Sequence, residues 1–209
     1  MIRRFAAALL AILVAVPLAA QAPAGLQMRV DESTSATDPD DVPDVTISSA
    51  EGGIEVNTGP AAVIWEPANT ATGTYTLSAR FTLQALSDHV NYYGLMFGGN
   101  ELEADSQNYL YFLVAQDGSF LVKHRAGDET THDIQGRTPH DAVVAADANG
   151  QSVNDLEVRV GAEQVDFVVN ETVVFSAPTS AMIQTDGIYG VRINHRLPGV
   201  LVEDLQVTE

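Results

Sequence analysis

Few side chains in this 209-residue chain have the chemistry to recognise a ligand, and the scarcest of them are cations: Lys+Arg number 10 against 28 Asp+Glu. Arg3 and Arg4 stand at the very start, which leaves eight basic residues for the rest of the chain. Lys123 and Arg125 alternate onto one face of the segment from Ser119 to Arg125. Arg192 and Asn194 do the same on the segment from Ile188 to Asn194, with His195 and Arg196 following. Trp65, Tyr92 and Tyr111 lie on other apolar segments. Guanidinium and ammonium groups donate to sugar hydroxyls or to a carboxylate, and aromatic faces stack on rings. Trp65, Tyr92, Tyr111, Lys123, Arg125, Arg192 and Asn194 are therefore the candidate ligand-binding set. The competing account of the same cations is ion pairing with nearby acids, which stabilises a surface by only about 0–1 kcal/mol per pair.

Other chemistries find less support. In Glu101-Leu102-Glu103-Ala104-Asp105, carboxylates at i and i+2 would sit about 6.5–7 Å apart on an extended strand, and side-chain rotation could bring them to the roughly 5–5.5 Å of a retaining glycosidase. Gly98-Gly99-Asn100 and Ser106-Gln107-Asn108 flank the string, however, and predict a solvated loop. No catalytic residue is assigned. His132-Asp133 and His140-Asp141, around Thr138-Pro139, are read as one loop whose spacing has no metal-ligand geometry. There is no cysteine, no Gly-x-Ser-x-Gly elbow and no phosphate-binding glycine loop. Asn170-Glu171-Thr172 is a sequon in a tight turn and is read as chance. No cofactor or metal is expected; a structural calcium is left open, without assignable ligands. Net charge −18 argues against nucleic acid or anionic membrane as a partner.

The elements that must position these groups follow from periodicity. Residues 1–22 read as a secretory signal: Arg3-Arg4, an apolar run from Phe5 to Val16, then small residues up to Ala22. That run is shorter than the roughly 20 residues that span a bilayer. The expectation is a protein secreted or periplasmic after cleavage, without a membrane anchor. Residues 23–44 read as an acidic flexible arm, with Asp38, Asp40, Asp41 and Asp44 set among prolines. From residue 45 to 209 the period is two. Tyr75, Leu77, Ala79, Phe81 and Leu83 share one face of a strand, and Thr74, Thr76, Ser78, Arg80 and Thr82 the other. Ten further short strands, separated by turns such as Asp117-Gly118, Asn149-Gly150 and Asp186-Gly187, predict an all-β, two-sheet antiparallel sandwich with no significant helix after the signal.

Two hairpins can be given a register. A loop at Gly161–Gln164 pairs Val160 with Val165, Val158 with Phe167, Leu156 with Val169 and Arg159 with Asp166, giving one dry face and one charged face. A two-residue type I′ turn at Asp117-Gly118 pairs Ala115 with Phe120, Leu113 with Val122 and Tyr111 with His124. Both faces of that second hairpin are largely apolar, so it is either central in a covered sheet or lines a ligand groove.

The strings Tyr93-Gly94-Leu95-Met96-Phe97-Gly98-Gly99, Tyr109-Leu110-Tyr111-Phe112-Leu113-Val114, and Asp117-Gly118-Ser119-Phe120-Leu121-Val122-Lys123, with Asp186-Gly187-Ile188-Tyr189-Gly190 later, resemble the central strands of the concanavalin A-like lectin/glucanase superfamily. The likeness is to secreted bacterial domains of the laminin G and 3-keto-disaccharide hydrolase kinds, over residues 45 to 209. It implies a jelly roll with a concave sheet and a glycan or glycoside as ligand. The laminarinase-type Glu-x-Asp-x-x-Glu of that superfamily is not matched by Glu101 to Asp105. The expected function is a non-catalytic carbohydrate-binding or interaction module; the alternatives are a glycoside hydrolase or lyase, and a structural envelope protein without a small ligand. Oligomeric state is not legible.

Overall fold

The computed structural model describes residues 23–31 and 43–209. The signal expected over 1–22, and Asp38, Asp40 and Asp41 of the arm, lie outside the described residues. Among the described residues, fourteen strands form two antiparallel seven-stranded sheets, with one 3-10 turn at Thr179–Ala181. The first sheet, in spatial order, is β1 (Gln27–Asp31), β4 (Ala61–Ala71), β13 (Gly187–Ile193), β6 (Tyr92–Asn100), β7 (Asn108–Ala115), β8 (Ser119–Ala126) and β9 (Thr131–Pro139). The second is β12 (Thr172–Pro178), β11 (Gln164–Val169), β10 (Ser152–Val160), β5 (Tyr75–Leu83), β14 (Val200–Thr208), β3 (Gly53–Asn57) and β2 (Thr46–Ala50). This is the all-β sandwich that the period of two requires, and no helix among the described residues is long and apolar enough to cross a membrane.

The core lies between the sheets because alternate side chains of every long strand point inward. Phe81 and Leu77 from β5 face Phe97 from β6, Phe112 from β7 and Phe167 from β11, all fully buried. Phe112 meets Phe167 edge-on at 5.3 Å, the arrangement that ring quadrupoles favour. Each such side chain stabilises the fold by about 1.5–3 kcal/mol through burial. The β10–β11 hairpin has the register its residues predict, from Leu156 opposite Val169 to Val160 opposite Val165. Its wet face continues into β5, where Arg80 lies opposite Asp155 and donates to both carboxylate oxygens at 2.7 and 2.9 Å.

The β7–β8 hairpin departs from expectation by one residue. Val114 pairs with Phe120, Leu113 with Leu121, Tyr111 with Lys123 and Tyr109 with Arg125. The turn is a three-residue loop, Gln116 to Gly118, in which Gly118 alone takes the left-handed conformation at φ 81° and donates to the Ala115 carbonyl at 3.1 Å. A type I′ turn would need a positive φ at Asp117 as well; Asp117 instead accepts from the Ser119 N–H and hydroxyl. The extra loop residue changes which neighbours meet. Lys123 and Arg125 thus stand beside Tyr111 and Tyr109.

Two further segments also differ from expectation. Residues 27–31, read as part of a flexible arm, form β1 against β4 in five register pairs. His132 and Asp133, read as loop residues, belong to β9, an edge strand whose Gly136 and Pro139 hide its period.

Candidate functional site

The second face of the first sheet carries its own cluster of buried side chains, apart from the inter-sheet core. Trp65, Tyr92, Met96, Tyr109, Tyr111 and Leu113 belong to it. Alternation puts the predicted set on this face. Tyr111 lies opposite Met96 on one side and Lys123 on the other. Arg192 lies between Val63 and Gly94. Asn194, one residue past β13, donates its backbone N–H to the Tyr92 carbonyl at 2.9 Å. The seven residues named from sequence therefore fall on one sheet face, or at its rim, across β4, β6, β7, β8 and β13.

This face is concave. Arg29 on edge strand β1 reaches Asp128, at the β8–β9 turn, with a 2.6 Å ion pair. On a flat sheet, five spacings of about 4.8 Å would put β8 roughly 24 Å from β1, beyond the reach of an arginine side chain. The sheet and the loops at its end must curl toward each other. Arg29 also donates to the Ala104 carbonyl at 2.8 Å, which ties β1 to the loop bearing Glu101, Glu103 and Asp105. Those three carboxylate residues are exposed and Leu102 between them is buried, as a surface loop requires. Glu101 accepts from the Ser106 hydroxyl at 2.7 Å.

At the centre of the face sits Arg192, 8% exposed. Its Nη1 donates to Asp31 Oδ2 at 2.8 Å and to the Tyr109 hydroxyl at 2.6 Å. Its guanidinium lies 5.3 Å from the Tyr111 ring centroid and 5.9 Å from that of Tyr109. Burial by itself would lower the pKa of this group, but the oxygens of Tyr109, Asp31 and Tyr111 together outweigh it and hold the charge more firmly than in water. Burial likewise pushes the Tyr109 phenol up to about 12, against the opposing pull of Arg192. Arg125 donates to the Asp128 carbonyl and approaches Asp31 Oδ1 at 4.0 Å. Lys123 pairs with Asp133, directly opposite on β9, at 3.0 Å.

Asp31 and Tyr109 are the functional-site residues that sequence reasoning missed. Tyr109 carried a usable signal, since it shares strand parity with Tyr111. Asp31 carried none, being one acid in a segment read as solvated.

The aromatic residues are covered rather than open: Trp65 is 2% exposed and Tyr111 6%. The Tyr92 hydroxyl is within 3.0 Å of Ser119 Oγ, beside the ion pair between Asp117 and Arg137. Three buried polar atoms of the predicted set nevertheless lack a hydrogen-bond partner: Arg125 Nε, Arg192 Nε and Asn194 Oδ1. Gln107 Oε1, whose side-chain amide nitrogen donates to Asp128 at 2.8 Å, is a fourth in the same neighbourhood. Native interiors rarely leave such atoms unpaired. The arrangement can hold an anionic or multiply hydroxylated group. Among the described residues, no group of three or more His, Asp or Glu is placed to hold a metal ion.

The chain matches no family model, and no curated protein matches it in sequence. Solved structures share its architecture. It is similar to the carbohydrate-binding module CBM66 from Bacillus subtilis, with TM-score 0.59 and 11% identity over 79% of this chain and 92% of that one. It is also similar to alginate lyase A1-II′, a member of polysaccharide lyase family 7, with TM-score 0.50 and 12% identity over 78% of this chain and 82% of that one. Sheep galectin-11 follows at TM-score 0.47 and 12% identity, over 66% and 92% of the two chains. The fold is thus a jelly-roll β-sandwich of the kind shared with the carbohydrate-binding module and the alginate lyase, and identities this low speak to fold alone.

Proposed function

We propose that this protein is a non-catalytic carbohydrate-binding module that acts outside the cytoplasm after loss of residues 1–22, with its ligand on the concave face of the first sheet. One observation carries the reading: Trp65, Tyr92, Tyr111, Lys123, Arg125, Arg192 and Asn194, from five strands, converge on that face, and three of them keep unpaired buried polar atoms there. Aromatic faces beside cations and amide groups suit a sugar ring with its hydroxyls. The architecture shared with a carbohydrate-binding module supports the same reading.

A glycan array probed with the purified protein and with Arg125→Ala tests it. Binding by the wild type and at least a tenfold loss in the variant is the expected result. Silence across the array would overturn the function, whereas equal binding by both proteins would overturn only the site.

A second reading has its own support. The low exposure of Trp65 and the bond between Asp31 and Arg192 suit a structural envelope protein whose concave face is filled from within. A hydrolase or lyase of the 3-keto-disaccharide type is less well supported, because Glu101, Glu103 and Asp105 face solvent on a loop. Retention of residues 1–22 in the exported protein, read by intact mass, would contradict the proposed processing.

A further inference from the structure

The concave face gathers cations that its acids match poorly. Three guanidinium groups, of Arg29, Arg125 and Arg192, lie around Asp31 and Asp128, and the third carboxylate within 4.0 Å, of Asp105, reaches only Arg29 and is fully exposed. Asp128 is used by Arg29 and by the Gln107 amide. That leaves Asp31 as the only carboxylate among the described residues that Arg125 and Arg192 both approach within 4.0 Å, and it serves them poorly. It takes a single hydrogen bond from Arg192, through Nη1, and stands 4.0 Å from Arg125. Neither arginine presents the two-pronged contact to a carboxylate that its planar group is built for, and the Nε of each is buried without a partner. A buried cation and a half-buried one sharing one ill-fitting anion form a site that a better-placed carboxylate would complete.

The element that supplies Asp31 is short and marginal in the sheet. β1 is five residues long, lies at the sheet edge, and begins with exposed Gln27 and Met28. Gln27 stands opposite Trp65, and Arg29 opposite Val63, so β1 flanks the aromatic side of the face as well as its charges.

Resting on the carbohydrate-binding reading above, we infer that the ligand is an acidic saccharide, a glycan containing uronic acid, and that Asp31 stands in for its carboxylate until β1 is displaced. The uronate carboxylate takes both arginines, using Nε as well as Nη atoms. Asp31 then acts as an internal competitor, and the apparent affinity is reduced by the fraction of molecules in which β1 holds the site.

Calorimetric titration with oligogalacturonate, with its methyl ester, with a neutral glucan oligosaccharide and with an acidic peptide tests the inference. The wild type should bind the uronate and not the ester. Asp31→Ala should bind the uronate about tenfold more tightly, and Arg125→Ala at least tenfold more weakly. Equal binding of acid and ester, or binding of the acidic peptide alone, would overturn it. Binding of the neutral glucan without the uronate would leave the carbohydrate-binding function standing and remove this inference. Should Asp31→Ala fold poorly, hydrogen exchange on the wild type decides. Uronate should accelerate exchange at Arg29 and Asp31, whose N–H groups face β4 in this register, as β1 leaves β4, and unchanged protection in the bound protein would overturn the stand-in role.

Discussion

Asp31 and Arg192, 161 residues apart in sequence, share a 2.8 Å hydrogen bond that fastens the first described strand to the middle of the concave sheet. Arg192 is almost wholly buried and Asp31 is 16% exposed at its side chain, so water screens the pair little. Removing one partner of such a pair costs more than replacing both by apolar residues, because an uncompensated buried charge remains. Asp31→Ala should lower unfolding stability by about 3 kcal/mol, and the double variant Asp31→Ala with Arg192→Met by less. Urea unfolding at pH 7 measures both, and the reverse order would contradict the burial argument.

Tyr109 should titrate late. Its folded pKa, pushed up by burial to about 12, exceeds the ordinary value of 10.0. Above pH 10 the unfolded chain gives up this proton first, so stability contributed by the neutral phenol falls as pH rises from 10 toward 12. Spectrophotometric titration of Tyr109→Phe should show one phenol fewer in the late class; an unchanged count would place Tyr109 in an ordinary environment.

His124 sets a second pH dependence, at the opposite end of the scale. Burial, and then the neighbouring His132 stacked on it at 5.8 Å, lower its pKa below 6.5. The unfolded chain therefore takes up this proton first as pH falls through 6.5, and stability declines with it. Urea midpoints between pH 8 and 5 should fall less steeply in His124→Gln than in the wild type. Parallel profiles would show that His124 charges as readily in the folded state.

Asn154 is fully buried, and its side chain clamps a loop. It accepts from the Val144 N–H at 2.8 Å and from Asn170 Nδ2 at 3.0 Å, and it donates to the Val144 carbonyl at 3.1 Å. Asn154→Ala strands two backbone groups and should cost about 2–3 kcal/mol. The sequon asparagine, Asn170, spends its amide on Ala142 and Asn154 in the same network. A cost under about 0.5 kcal/mol in thermal or urea unfolding would mean that water replaces the clamp.

Gly118 holds the β7–β8 loop at φ 81°. Gly118→Ala should destabilise by about 1 kcal/mol, the usual cost of a side chain in the left-handed region, with the strand register retained. Backbone cross-strand contacts between Val114 and Phe120 would report any slip.

What was legible in the sequence followed from alternation, and what was hidden followed from turns and edges. The β10–β11 register could be read because every pairing matched in character, including Arg159 with Asp166. The β7–β8 register could not, because both faces of that hairpin are apolar and a slip of one residue exchanges one acceptable set of neighbours for another. β9 escaped notice because His132, Asp133, Gly136 and Pro139 give an edge strand no dry face to announce it. Parity within single strands could group Lys123 with Arg125 and Arg192 with Asn194, but the expected register set Tyr111 on the face opposite Lys123, and only the three-residue loop brings them together. Their partners could not be assigned, since the bond from Arg192 to Asp31 depends on how the sheet curls and on β1 joining its edge.

The last two strands of the chain do not sit at the margins. β13 lies between β4 and β6, and β14 lies between β5 and β3, so each sheet has its middle supplied by residues after 186. The earlier strands can form hairpins such as β7–β8 and β10–β11, but neither sheet can close around them until the C-terminal strands arrive. Contacts this distant in sequence fold slowly, and the strands waiting for them have open edges. Order in this molecule is therefore deferred to the end of the chain, and any step that handles it unfolded has nearly its whole length to work on before the sandwich can lock.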